Sequence, residues 1–200
     1  TAELTARRKQ YEYYRDLLLT FDDDVPKVRL DKVTTITRGV RVVKSQLTET
    51  GTYPVFQNSM TPLGYYEKSN FNKNTVFIIG AGAAGEIGYS KIDFWAADDC
   101  YCLTCSDRLQ SRFLYYAILC QKSYLLSRVR RASVPRLARS VIERVEIPVP
   151  PLKEQERIVS ILDRFDALCN DLTSGIPAEI EARQKQYEYY RDKLLSFKEV

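Results

Sequence analysis

Two textures of apolar and polar positions alternate along the chain. Near the N-terminus Leu4, Arg7, Tyr11, Tyr14, Leu18 and Phe21 recur at steps of three and four, and near the C-terminus Ile180, Arg183, Tyr187, Tyr190, Leu194 and Phe197 repeat those steps. Ile158, Ile161, Phe165, Leu168 and Leu172 show the same habit upstream. Such spacing places one residue per turn on a single helical face, as in the seam of a coiled coil. Ser174-Gly175-Ile176-Pro177 interrupts it. Pro177 fits the first turn of a new helix, where its missing N–H costs little. The pattern predicts one helical arm from Lys153 to Phe197 with a break near Gly175.

Between Val25 and Pro150 short β-branched and aromatic runs alternate with turn residues. These predict strands at Thr34–Thr37, Tyr53–Phe56, Thr75–Ile79, Glu86–Tyr89, Tyr101–Cys105 and Val145–Pro148. Phe113, Tyr116, Ala117 and Cys120 share one face of a predicted helix over Ser111–Gln121, and a second, short helix follows Pro135 and ends near Arg144. The fold expected is α+β: a globular mixed-sheet domain carrying a long coiled-coil arm. Pro148, Pro150 and Pro151 form a stiff exit into the arm.

The chain repeats itself once. Residues 6–21 read ARRKQYEYYRDLLLTF and residues 182–197 read ARQKQYEYYRDKLLSF. A period this long is no solenoid. It points to one module flanked by the ends of two copies of the same helix. The organisation expected is residues 1–21 as the end of a preceding helix, 22–151 as the globular domain and 152–200 as the helical region. The chain begins Thr1-Ala-Glu-Leu, without Met, and reads as a piece of something longer.

Composition narrows the chemistry. Histidine is absent, which removes the commonest general base and the usual Ser-His-Asp and Cys-His arrangements. Lys and Arg number 30 against 26 Asp and Glu, a net charge of +4 that permits a polyanionic partner without requiring one. The five cysteines, an odd count with no signal peptide, favour a reducing cytoplasm. The longest apolar stretch, around Val76 to Ala84, is too short to cross a bilayer.

Gly80–Gly85 spells GAGAAG after an apolar run, the outline of a nucleotide-cofactor loop. That loop needs a helix behind it. The next residues, EIGYSKIDFW, alternate like a return strand, so a tight hairpin is expected. Cys100, Cys102 and Cys105 lack the further ligands of a zinc site and are expected as small core residues. Asp22-Asp23-Asp24 reads as a solvated loop, and Asp98-Asp99 as a cap or backbone-bonding turn. No catalytic constellation, metal or cofactor is expected.

Three loops carry the remaining polar chemistry. SRVRRASVPRLARS holds Arg128, Arg130, Arg131, Ser133 and Arg136 with no acid among them. TRGVRVVKSQ offers Arg38, Arg41 and Lys44, and FQNSMTPLGYY offers Gln57, Asn58 and Ser59. Arginine forks suit phosphates and guanine edges, and Gln and Asn can pair with adenine. Together the loops lean toward nucleic acid. By side-chain type, Gln57, Asn58, Ser59, Arg131, Ser133 and Arg136 are the candidates for reading bases. Arg38, Arg41, Lys44, Arg128 and Arg130 are the candidates for the backbone.

The ensemble resembles the specificity (S) subunits of type I restriction-modification enzymes. The residues that carry the likeness are Val145–Leu152 (VEIPVPPL), Glu154-Gln155, Arg157–Val159, Ile161–Asp163 and Phe165, followed by GIPAEIEARQKQYEYYRDKLLSF from Gly175. The middle is similar in style through YPVFQNS, TVFIIGAGAAGEIGYSKIDFWAADDCYCL, FLYYAIL and ASVPRL. The likeness covers almost the whole chain, and its helical motifs are the specific part. It implies a target-recognition domain plus conserved helical region, one half of a subunit that is normally about twice as long. It implies that double-stranded DNA is bound at one half of a bipartite target. Methyltransferase subunits would dock on the helical frame and a motor-nuclease subunit would join them. Ile158, Ile161, Phe165, Leu168, Leu172, Ile180, Tyr187, Tyr190 and Leu194 would pack against another helix, from this chain or from a second half-subunit. The chain lacks the [N/D]-P-P-[F/Y] segment of a methyltransferase, since Val149 precedes Pro150-Pro151 and Leu152 comes after them, so the chemistry is expected on a partner. The rival readings are a cofactor enzyme built on Gly80–Gly85 and a coiled-coil scaffold that does not touch DNA.

Overall fold

The computed structural model describes the backbone of residues 2–170 and 176–195, and the side chains of 5–7, 9–167 and 178–192. The chain divides into two compact units, Leu19–Val159 and Thr1–Leu18 with Ser160–Val200.

The Leu19–Val159 unit is built on a four-stranded antiparallel sheet. In chain order its elements begin with β1 (Lys27–Arg29), a short helix α2 (Leu30–Val33) and β2 (Thr34–Arg38), helix α1 (Ala2–Leu18) lying in the other unit. Next come β3 (Tyr53–Phe56), β4 (Gly64–Tyr66), β5 (Thr75–Ile79), β6 (Ile87–Ser90), β7 (Trp95–Ala96) and β8 (Cys100–Cys105). Helices α3 (Ser111–Cys120), α4 (Lys122–Ser127) and α5 (Arg139–Glu143) come after them, then β9 (Glu146–Pro148). The main sheet runs β2-β8-β5-β6, with Arg38 opposite Tyr101, Ile79 opposite Cys100 and Ile78 opposite Ile87. This register sets the end of β2, the start of β8 and the β5–β6 turn at one edge of the sheet. A smaller sheet, β4-β3-β7, stands beside it, and β1 pairs with β9 so that the chain enters and leaves the unit side by side.

Alternation along the strands explains the core. Phe77, Ile79, Cys100 and Cys102 share one side of the main sheet and pack with Phe94 and Ala96, while Phe56 and Phe71 close the cluster. On α3 the apolar positions Phe113, Leu114, Tyr116, Ala117 and Ile118 are buried as the helix packs across β5, β6 and β8. Each Phe, Leu or Ile side chain among these contributes about 1.5–3 kcal/mol through burial.

The six expected strands and both expected domain helices are present, with ends shifted by a residue or so; the second helix covers only Arg139–Glu143. Six short elements were not expected: β1, α2, a 3-10 turn at Lys44–Gln46, β4, β7 and α4. None of them is longer than six residues, too short for periodicity to register. GAGAAG forms the expected hairpin, and a strand comes after Gly85 rather than a helix.

The second unit contains α1 (Ala2–Leu18), α7 (Ile176–Leu195) and most of α6 (Leu152–Asn170), whose first two turns belong to the globular unit. Pro177 is the second residue of α7. Tyr11 is buried, and the Tyr14 ring stacks on Phe165 of α6 at 6.0 Å between centroids. Ile161 is half-buried, beside a fully buried Leu162 that lies off the expected seam. Ile158 is fully buried and falls within the globular unit, to which the first two turns of α6 belong. Ile180 is half-buried, whereas Tyr187 and Tyr190 are 67% and 52% exposed, so that face of α7 lies open. The expected break at Gly175 and the side chains of Leu168, Leu172 and Leu194 lie outside the described residues.

Candidate nucleic-acid interface

The edge of the main sheet where β2 ends and β8 begins is built from the loops singled out by their polar residues. Gly80 follows β5 and donates its N–H to the Asp99 carbonyl at 2.6 Å, while its own carbonyl accepts the Leu137 N–H at 2.8 Å. It lacks a Cβ for a steric reason, because one would sit 2.6 Å from the Tyr101 ring. Arg130 and Arg136 pair by their backbones at 2.8 and 3.1 Å, closing the basic loop into a narrow hairpin, and Arg136 also bridges to Ala81.

The glycine hairpin therefore acts as a bracket. On one side Gly82 N–H donates to the Pro135 carbonyl at 3.1 Å, and on the other Ala83 N–H donates to the Asn58 carbonyl at 2.8 Å. Gly82 has φ +82°, and a Cβ there would lie 2.7 Å from the Asn58 carbonyl oxygen. Only glycine satisfies both the left-handed backbone and the close approach. The Cys100 thiol adds a third tie, donating to the carbonyls of Phe56 and Gln57 at 3.3 and 3.2 Å. Burial, with Asp99 and Asp98 nearby, pushes that thiol up to about 12. Burial likewise raises Cys102 above it and Cys105 to about 11. These groups stay protonated at neutral pH and serve as packing and donors, not as nucleophiles.

Arg38, Arg128, Arg130 and Arg136 line one cleft of about 300 Å³ together with Gly80, Ala81, Asp98, Asp99 and Tyr101. The Arg38 Nε donates to the Asp98 carbonyl at 2.6 Å, and the Arg128 guanidinium lies 5.2 Å from the Tyr124 ring centre. Arg130 and Arg136 are exposed and carry no ion pair among the described residues. Arg131 faces a neighbouring hollow with Gly82, Leu126, Val129 and Pro135. Ser133 is exposed in the same hairpin loop. Asn58 is exposed, Gln57 and Ser59 are half-buried, and the Ser59 hydroxyl donates to the Thr61 carbonyl at 2.8 Å, within its own turn. Arg41 and Lys44 are exposed but do not line the cleft.

The arrangement thus joins two of the three polar loops through the glycine hairpin and adds Arg38 from the third. It also brings in three residues that sequence reasoning left aside, Asp98, Asp99 and Tyr101. In the sequence Asp98-Asp99 reads only as a cap or backbone-bonding turn, and Tyr101 enters the site through the register that places it opposite Arg38. Among the described residues no cluster of His, Cys, Asp and Glu could hold a metal ion, and no helix is long and apolar enough to cross a membrane.

Known proteins are similar to this chain in sequence and in fold. A protein of Mycoplasma pneumoniae named as a candidate type I specificity subunit is 32% identical over 98% of this chain and 87% of its own length. The specificity subunit of the type I restriction enzyme EcoR124I/EcoR124II from Escherichia coli is 32% identical over 98% of this chain and 55% of its own. The crystal structure of a type I restriction-modification S subunit from M. genitalium matches 88% of this chain with a TM-score of 0.70 at 24% identity, a likeness of fold. This chain spans about half of that solved one, with 48% covered. Residues 22–182 match the family model described as the type I restriction modification DNA specificity domain. With the match running through the hairpin, the basic loops and the helix behind them, the chain belongs to that family.

Proposed function

We propose that this chain is a non-catalytic DNA-recognition module of a type I restriction-modification complex and reads one half of a bipartite target. The observation that carries the reading is the cleft at the sheet edge, where Arg38, Arg128, Arg130 and Arg136 converge beside the bracketed Asn58 loop. Arginines on a fixed backbone, Arg130 and Arg136 among them without an ion pair among the described residues, suit phosphates and guanine edges. Residues 22–151 are the recognition domain, and the flanking segments that carry α1, α6 and α7 serve assembly. On that frame methyltransferase subunits dock, a motor-nuclease subunit joins, and a second half-subunit or second copy packs against the open face of α7. The complex works in the cytoplasm, where DNA and free thiols coexist.

Charge reversal tests the carrying observation. Arg130→Glu with Arg136→Glu should lower duplex affinity by about 100-fold at moderate salt and flatten the log affinity against log salt slope by about two. Fluorescence anisotropy across a salt series measures both, and unchanged circular dichroism guards the fold. Affinity that survives the double reversal would remove the cleft from DNA binding.

A further inference from the structure

Two carboxylates stand in a cleft that otherwise invites phosphate. Asp98 and Asp99 line it with the four arginines, yet among the described residues neither carboxylate pairs with a guanidinium. The single contact from Arg38 goes to the Asp98 main-chain carbonyl. For pure backbone binding such groups are a liability, since each repels the phosphates that the arginines attract.

Their backbone is held on every side. The Asp98 carbonyl accepts from Arg38, the Asp99 carbonyl accepts from Gly80, and the Cys100 N–H closes the turn onto the Ala97 carbonyl at 3.0 Å. With both main-chain oxygens occupied, the carboxylates are the turn's remaining free acceptors, presented half-exposed from a fixed frame. An ionised carboxylate only accepts hydrogen bonds, so its partner must donate. Phosphates, thymine O4 and the O6 and N7 of guanine cannot. In the major groove the donors are the exocyclic amines of cytosine and adenine. A cleft that mixes free carboxylates with free guanidiniums matches the two edges of one base pair: carboxylate to cytosine N4, arginine to guanine O6 and N7.

We propose that the Asp98–Asp99 turn is a base-reading element that selects cytosine in a C·G pair, with an arginine of the same cleft on the guanine. This rests on the reading of the cleft as a DNA interface. The test is selection of bound duplexes from a randomised pool by the whole chain and by its variants. The wild type should enrich cytosine at one position. Asp98→Asn with Asp99→Asn should lower that preference about tenfold or more and raise adenine there, because a side-chain amide pairs with adenine N6 and N7. Asp98→Ala with Asp99→Ala should lose the preference without gaining adenine. Both double variants should bind random duplex as tightly as the wild type or more tightly, and unfold at an unchanged temperature.

Double variants that enrich the wild-type motif unaltered would overturn the proposal, as would a uniform rise in affinity with no change of motif. A wild-type chain that enriches no motif also overturns it. If in addition the Arg130→Glu and Arg136→Glu chain binds the pool as well as the wild type, the DNA reading itself falls. If the wild type enriches a motif that only the aspartate variants leave unaltered, this inference falls alone.

Discussion

Gln155 is 0% exposed, and its side chain ties two segments of main chain, Arg108–Gln110 and Pro150, to the start of α6. Its Nε2 donates to the carbonyls of Arg108 and Pro150, and its Oε1 accepts the Gln110 N–H, all at 2.8 Å. Replacement by an apolar residue of similar size leaves those backbone groups buried without partners. Gln155→Leu should therefore cost about 3 kcal/mol and lower the melting temperature by about 10 °C, read by calorimetry. In the sequence Gln155 was visible only as part of EQER, a motif that carried the family likeness without a reason. The cysteines were legible in physical terms, because Cys100 and Cys102 alternate onto one face. That Cys100 donates to the Phe56 and Gln57 carbonyls was not, since nothing local encodes a partner so far along the chain.

At the scale of elements, the GAGAAG hairpin separates what sequence can and cannot tell. The turn was readable from alternation after Gly85. Its neighbours were not, because the bonds from Ala83 to Asn58 and from Gly82 to Pro135 join loops far apart in sequence. Candidate loops could thus be named one by one, while their convergence with Asp98 and Asp99 required the register of β2 on β8. Gly82→Ala tests the bracket. The added methyl meets both a left-handed backbone and the Asn58 carbonyl, at a cost of about 1–3 kcal/mol. The melting temperature should fall by about 2–10 °C. The enriched duplex motif should broaden more than random-duplex affinity declines, because the Asn58 loop shifts while the arginines stay. Pool selection and calorimetry on the same preparation check the pair of outcomes.

Across the whole molecule the internal repeat puts one sequence in two settings. In α1, Tyr11 is buried and Tyr14 stacks on Phe165, while their counterparts in α7, Tyr187 and Tyr190, face solvent. A face that is partly covered in one copy, with Tyr11 buried and Tyr14 38% exposed, and open in the other is suited to a second helix, the role proposed for a half-subunit or second copy. Wild-type chain should self-associate in sedimentation equilibrium, and Tyr187→Ser with Tyr190→Ser should weaken that association about tenfold or more, since exposed tyrosines of this kind act as interface anchors. A strict monomer at high concentration would remove the second-copy version. The repeat was the clearest large-scale signal in the sequence; which of its copies is covered depends on tertiary packing that the repeated residues do not encode.

The short β1–β9 pair has a mechanical meaning. Lys27 lies opposite Pro148, so the strand that begins the domain and the strand that ends it meet at the same end of their ladder. Tension between the flanking segments would load those hydrogen bonds one after another, as in a zipper, rather than all at once in shear. The clasp would yield at low force while the main sheet, which does not lie on that line, would keep its edge and its cleft intact.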